Sequence, residues 1–341
     1  MDRFGMIASD LFGVMVFFSV SFVIAWLSTP FLTDFLYKNR IGKRIRDTDH
    51  DGNKTPIFSA MHRSKENTPT LGGVLIWGVT AIITLVANFA RTGTLLPLFT
   101  MVGCGIVGAA DDLMNVLGVG IARGGMRFRT KLVLYATVSL AGALWFAFKL
   151  DWLERAFSMG SFGTFVLGYW YIPLFVAVAV FTAFASNQTD GLDGLAGGVF
   201  AFAYGAYTFI CLLKGNYSLA IFCATIMGSL LAFLWFNVYP ARFFMGDTGA
   251  MSLGMTLAVI SFLTNTVYAL PFIGLILIIE AITTAIQIIS KKVFGKKVFL
   301  VAPIHHHFEA KGWPETKVTM RFWIISAVST ALGLSLVLIY G

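Results

Sequence analysis

The sequence predicts an all-α polytopic membrane protein with ten transmembrane helices, and three observations predict it. Of the 341 residues, 57% are hydrophobic and only 12% charged, with a mean hydropathy of +0.79, far outside the soluble range. Apolar runs of bilayer-spanning length follow one another along the chain, at 11–37, 71–90, 94–113, 131–149, 163–186, 194–213, 218–236, 250–264, 268–290 and 320–340. Lysine and arginine are concentrated in alternate connections.

The first run, from Leu11 to Tyr37, is too long for a signal-peptide core and no small-residue cleavage site follows promptly, so it should remain as an anchor. The run 250–264 is the shortest. An even number of spans puts both termini on one side. With the amino terminus outside, the cytoplasmic segments 38–70, 114–131, 187–193, 237–249 and 291–321 hold all 25 Lys and Arg residues except Arg3, Arg91, Lys149, Arg155 and Lys214. The positive-inside rule therefore sets the orientation, with both termini periplasmic. The net charge of +8 is a topology signal first and a phosphate-attracting surface second. No stretch longer than Lys38 to Thr70 lacks an apolar run, so residues 1–341 are expected to form a single domain. Cys104, Cys211 and Cys223 lie inside apolar runs without CxxC spacing and read as buried thiols. No heptads, internal repeats or low-complexity tracts stand out, which weakens an inverted-repeat transporter reading.

That topology gathers the unusual polar residues on the cytoplasmic face. Asp111 and Asp112 close the third run, Asp190 and Asp193 occupy the turn between the fifth and sixth, and Asp247 lies between the seventh and eighth. Carboxylates at membrane depth cost free energy unless paired, hydrated or bound to metal, so a convergent set marks a site. The segment Asn187-Gln188-Thr189-Asp190-Gly191-Leu192-Asp193-Gly194-Leu195 sets two carboxylates and an amide among glycines that permit close approach of a ligand. Phe243-Phe244-Met245-Gly246-Asp247-Thr248-Gly249 repeats that chemistry beside an aromatic pair. Such oxygen-rich ends suit Mg2+, which shares its ligands with substrate phosphates. Lys65, Arg129 and Lys131 add positive charge on the same face, and the set reads as phosphoryl or diphosphate chemistry at a membrane surface.

Plainer readings stand beside these. Asp111-Asp112 can cap a span beside basic residues, and Phe243 and Phe244 suit a membrane interface as well as base stacking. His305-His306-His307 do not share one helical face and make a poor three-ligand zinc site. Glu280, inside the ninth run, is either functional or a hydrogen-bond partner for a neighbouring helix. Lys291, Lys292, Lys296 and Lys297 flank that run and hold its orientation.

Taken jointly, several motifs resemble the polyprenyl-phosphate N-acetylhexosamine-1-phosphate transferase superfamily. They are Thr68-Pro69-Thr70-Leu71-Gly72-Gly73, Asp111-Asp112, the Asn187 to Leu195 turn, Asn237 with Pro240-Ala241, and Phe244 to Gly249. Pro303 to Glu309, with Lys311-Gly312-Trp313, narrows the resemblance to its phospho-N-acetylmuramoyl-pentapeptide transferase family. The resemblance runs through nearly the whole chain. It implies transfer of phospho-MurNAc-pentapeptide from UDP-MurNAc-pentapeptide to undecaprenyl phosphate, giving lipid I and UMP, with Mg2+ as cofactor. It also implies a homodimer in the bilayer of the bacterial inner membrane, serving peptidoglycan synthesis, with no nucleic-acid partner.

By the same resemblance, Asp111, Asp112, Asp247 and His306 are catalytic and Asp247 is the metal ligand. Asn187, Asp190 and Asp193 line the nucleotide pocket, and Phe244 stacks on uracil. Lys65, Thr70, Lys131, Asn237, His305 and His307 complete the polar shell around the phosphates. The family mechanism has two versions: direct attack by the lipid phosphate, or prior attack by an aspartate, usually the equivalent of Asp247. Phosphate oxygen is already a competent nucleophile, which favours direct attack. The chain departs from the family pattern at Asn115, where lysine is expected, and in the length of the basic loop from Ile41 to Asn67. Arg123, Arg127 or Arg129 are candidates for the missing charge.

Three rivals remain open at this stage. A sister transferase would pass GlcNAc-1-phosphate to the same lipid, against which the His305 to Glu309 element argues. An ion-coupled transporter would place its acids near mid-membrane rather than at one surface. A lipid-binding scaffold would bind without turnover.

Overall fold

A computed structural model of the chain describes residues 3–42, 65–89, 93–120, 125–154 and 156–341. Arg91, Arg123, Arg155 and most of the basic loop from Ile41 to Asn67 lie outside the described residues. In order, the helices are α1 (Arg3–Lys38), α2 (Gly73–Ala87), α3 (Leu95–Leu117), α4 (Phe128–Lys149), α5 (Tyr171–Thr189), α6 (Leu195–Leu213) and α7 (Tyr217–Asn237). There follow α8 (Gly246–Leu263), α9 (Leu270–Ile273), α10 (Leu275–Phe294), α11 (Ile304–Ala310) and α12 (Glu315–Tyr340). Among the described residues eight helices are long and apolar enough to cross a membrane, and a ninth span results if the pair Val267–Ile273 and Leu275–Phe294, bent by 78°, counts as one. The second apolar run yields only the 15-residue α2.

The start of α2 is cut short by its neighbour in space. Gly72 N–H donates to Phe244 O at 2.9 Å, Gly73 N–H to Met245 O at 2.9 Å, and Phe244 N–H to Pro69 O at 2.7 Å. These bonds tie the turn at residues 69–73 to the connection that enters α8.

The shortest apolar run lies at the centre of the bundle. α8 has a mean hydropathy of only 1.3, yet 89% of its residues are buried, against α3, α5 and α2. Small residues make this possible: a Cβ on Gly73 would collide with the backbone of Gly249, and one on Gly254 with the Ser186 hydroxyl. A helix that faces other helices needs no strong hydropathy, which is why its sequence signal is weak.

The all-α expectation needs one correction. Residues 156–166 form a two-stranded antiparallel hairpin, β1 (Ala156–Ser158) with β2 (Thr164–Val166), in which Phe157 pairs with Phe165. Gly160 (φ +63°) and Gly163 (φ +89°) make the turn, and Asn265 at the end of α8 accepts from Ser158 N–H and donates to Ala156 O. Exposed apolar residues such as Phe165 and Val166 put the start of the fifth run at residue 163, whereas α5 starts at Tyr171. The three cysteines are free and buried, as expected.

Candidate active site

Helix ends bring the acidic residues to one end of the bundle. Asp111 and Asp112 sit in the last two turns of α3, Asn187 and Asp190 at the end of α5, Asp247 in the first turn of α8, and Lys131 in the first turn of α4. The Lys131 ammonium bridges two of them, 2.6 Å from Asp111 Oδ2 and 2.5 Å from Asp247 Oδ2. Asn187 Nδ2 donates to the other Asp247 oxygen at 2.5 Å, and Met126 N–H to Asp111 Oδ1 at 2.5 Å. Four elements therefore meet at one carboxylate–ammonium–carboxylate contact. Lys131 is the positive partner of both carboxylates, while Arg127 and Arg129, candidates for the charge missing at Asn115, are exposed.

Asp112 is buried and does a different job. Its Oδ2 accepts from Thr248 N–H (3.1 Å) and Thr248 Oγ1 (2.7 Å), and its Oδ1 from Asp247 N–H (3.3 Å). A carboxylate borrowed from α3 thus caps the amino terminus of α8, where unpaired N–H groups and the helix dipole favour negative charge. Asp190 Oδ2 accepts from Gly246 N–H at 3.1 Å, on the same helix entry. Gly246 has φ +72°, and a Cβ there would meet Asp112 Oδ2 and the buried Thr70 hydroxyl. Thr70 Oγ1 has no protein partner among the described residues. Gly246→Ala is expected to cost about 1–3 kcal/mol from backbone strain alone and to displace Asp247. A fall in the melting temperature in detergent, with loss of turnover, checks this; an unchanged melt would refute it.

A second cluster surrounds Asp193. Lys65 Nζ lies 2.6 Å from Asp193 Oδ1 and 2.5 Å from Glu315 Oε1, while Asp193 Oδ2 accepts from Ala241 N–H at 2.9 Å. Burial by itself would depress the Lys65 pKa, but the Asp193 and Glu315 carboxylates carry it above the ordinary lysine value. Asn237 uses both ends of its amide, accepting from Gly194 N–H (3.0 Å) and donating to Phe243 O (2.9 Å). It pins the Asp193 turn to the connection that carries the half-buried Phe244.

The three histidines of α11 point to three different partners, as their spacing requires. His305 Nδ1 is 2.9 Å from Glu280 Oε2 with both side chains fully buried, so Glu280 takes its interhelical hydrogen-bond role. The His305 ring lies against Gly191, where a Cβ would collide with Nε2. His306 Nδ1 is 2.6 Å from Glu309 Oε2. His307 Nδ1 accepts from Leu300 N–H at 3.1 Å, and burial and Lys311 hold that ring below the usual histidine pKa, which suits an acceptor. Among the described residues no group of three or more His, Cys, Asp or Glu could hold a metal by itself.

The donor set nevertheless fits a hard cation that is shared with phosphate. Asp247 and Asp111 offer carboxylate oxygens, and two carboxylates against one ammonium leave a net negative charge where a cation would bind. Sequence reasoning missed Glu315 and Thr248, both partners of predicted residues. The Pro314-Glu315 helix start was the one visible signal for the first.

A helical membrane bundle with such a carboxylate-lined end has the form of an integral-membrane group-transfer enzyme, and residues 94–265 match the profile of Glycosyl transferase family 4. Curated relatives that carry the name phospho-N-acetylmuramoyl-pentapeptide-transferase match along most of their length. That of Chloroflexus aggregans is 35% identical over 98% of this chain and 92% of its own, and that of Geobacillus thermodenitrificans is 34% identical over 94% and 97%. The Dichelobacter nodosus protein is 39% identical over 88% and 86%. The chain belongs to the phospho-N-acetylmuramoyl-pentapeptide-transferase family.

Proposed function

We propose that this protein transfers phospho-MurNAc-pentapeptide from its UDP carrier to undecaprenyl phosphate at the cytoplasmic face of a bacterial inner membrane, in peptidoglycan synthesis. The family membership supports the reaction, and the contact of Lys131 with Asp111 and Asp247 is the observation that carries the site. The charge distribution supports ten spans with external termini, with α2 as a short span and α9–α10 as a broken one.

An oxygen of the lipid phosphate attacks the β-phosphorus of the donor, the bond from that phosphorus to the bridging oxygen breaks, and UMP leaves. Residues that align two anions and neutralise their charge do most of the work in such a transfer. Lys131 holds Asp111 and Asp247 in register, and Asn187 fixes the second Asp247 oxygen. Asp111 lies on the lipid-phosphate side, with Asp190 and Asp193 on the nucleotide side. Mg2+, held through Asp247, would supply positive charge to the diphosphate.

The test is UMP release by purified protein given undecaprenyl phosphate and Mg2+, with UDP-MurNAc-pentapeptide or UDP-GlcNAc as donor. Release from the first donor is expected; release from only the second would overturn the substrate assignment. EDTA is expected to abolish turnover and added Mg2+ to restore it, whereas full activity in EDTA would remove the metal role of Asp247.

A further inference from the structure

One face of α12 makes contacts that nothing in the proposed reaction yet uses. Glu315, Thr319 and Trp323 fall at i, i+4 and i+8, so they lie in one row along the helix. Each bonds to the turn that carries Asp193. Glu315 Oε1 accepts from Asp193 N–H at 2.7 Å, Thr319 Oγ1 donates to Asp193 O at 3.3 Å, and Trp323 Nε1 donates to Gly194 O at 3.2 Å. The backbone of the turn is thus gripped at three polar groups of two adjacent residues. The same Glu315 oxygen also receives Lys65 Nζ at 2.5 Å. Thr319 is buried, and Glu315 has a side-chain exposure of only 10%. Gly198, one turn into α6, leaves room for the Trp323 indole, which a Cβ there would strike.

These contacts have a consequence for charge as well as for shape. Lys65 is held between Asp193 and Glu315 rather than by Asp193 alone, so its ammonium stands at a point set jointly by α12 and the turn. Glu315 is also in the first turn of α12, where a carboxylate is favoured by the helix dipole. A residue that fixes both the turn backbone and the lysine beside it sets their separation.

We infer that Glu315 is a positioning residue for the nucleotide-diphosphate side of the site, acting through Lys65 and Asp193, with Thr319 and Trp323 holding the same turn. The inference rests on the proposed transferase reaction and on the assignment of Asp193 to the donor side. Glu315→Gln keeps an oxygen for Asp193 N–H but removes the charge that holds Lys65. It is expected to raise the KM for the UDP-linked donor about tenfold, the worth of one hydrogen bond to a charged group, with the KM for undecaprenyl phosphate unchanged. Glu315→Asp should recover part of that loss. Trp323→Phe, which removes only the bond to Gly194 O, should raise the donor KM severalfold and carries the test if Glu315→Gln fails to fold.

Wild-type protein in the same assay separates the two failures, because absence of UMP release there would overturn the transferase reading and the inference with it. With an active wild type, a donor KM unchanged in the variant that folds would overturn the inference. Equal rises in the KM of donor and lipid, or a fall in kcat alone, would overturn it too.

Discussion

Asp247→Asn is expected to lower turnover by about a thousandfold or more while donor binding changes only severalfold, because the cation that Asp247 would hold against a phosphoryl transition state is worth far more there than in the ground state. The geometry gives the reason. One Asp247 oxygen is held by the Asn187 amide and the other by the Lys131 ammonium, so its position is set from two sides before substrate arrives. An asparagine can occupy the space but brings no charge for Lys131 or for a bound cation. Turnover and donor binding measured on the same preparation decide the matter, and turnover within tenfold of wild type would sink the central role given to Asp247. A variant that binds donor without turning over would also set this chain apart from a lipid-binding scaffold, whose binding is its only activity.

Lys131→Met is expected to cost both stability and turnover. The lysine keeps two carboxylates together, with side-chain exposures of 17% for Lys131, 7% for Asp111 and 16% for Asp247. Removing one partner of a buried ion pair costs roughly 3–5 kcal/mol, and the residual solvent access here brings the expectation to about 2–3 kcal/mol. The penalty comes from like charges left facing each other, so it should be reversible. Lys131→Met combined with Asp111→Asn is expected to regain part of the melting temperature while remaining inactive. A single variant as stable as wild type, or a double variant no more stable than the single one, would show that the bridge does not hold these helices together.

Much of the fold is legible in the chain because hydropathy and charge are properties of local segments. Each of the ten apolar runs contains helix, and the weakest of them, 250–264, became the most buried candidate span. The hairpin at 156–166 was not legible, since exposed aromatics at its turn and second strand carry the same hydropathy as a membrane run. Part of the candidate site was legible as a list of residues. Asp111, Asp247 and Lys131 meet as a set, and His305, His306 and His307 diverge as helical geometry demands. Their division of labour was not legible. Asp112 caps α8 and Asp193 pairs with Lys65 and α12, yet as sequence both are aspartates beside small residues.

The sequence by itself determined that this protein lives in a membrane, where its helices run and which connections carry its polar chemistry. Those properties add up residue by residue along the chain. Only the tertiary structure decided which carboxylate faces which cation. The deciding contacts join residues 60, 116 and 250 positions apart, Asn187 with Asp247, Lys131 with Asp247, and Lys65 with Glu315. Electrostatic pairing falls off over a few ångströms, and distances that short between remote segments exist only once the helices have packed.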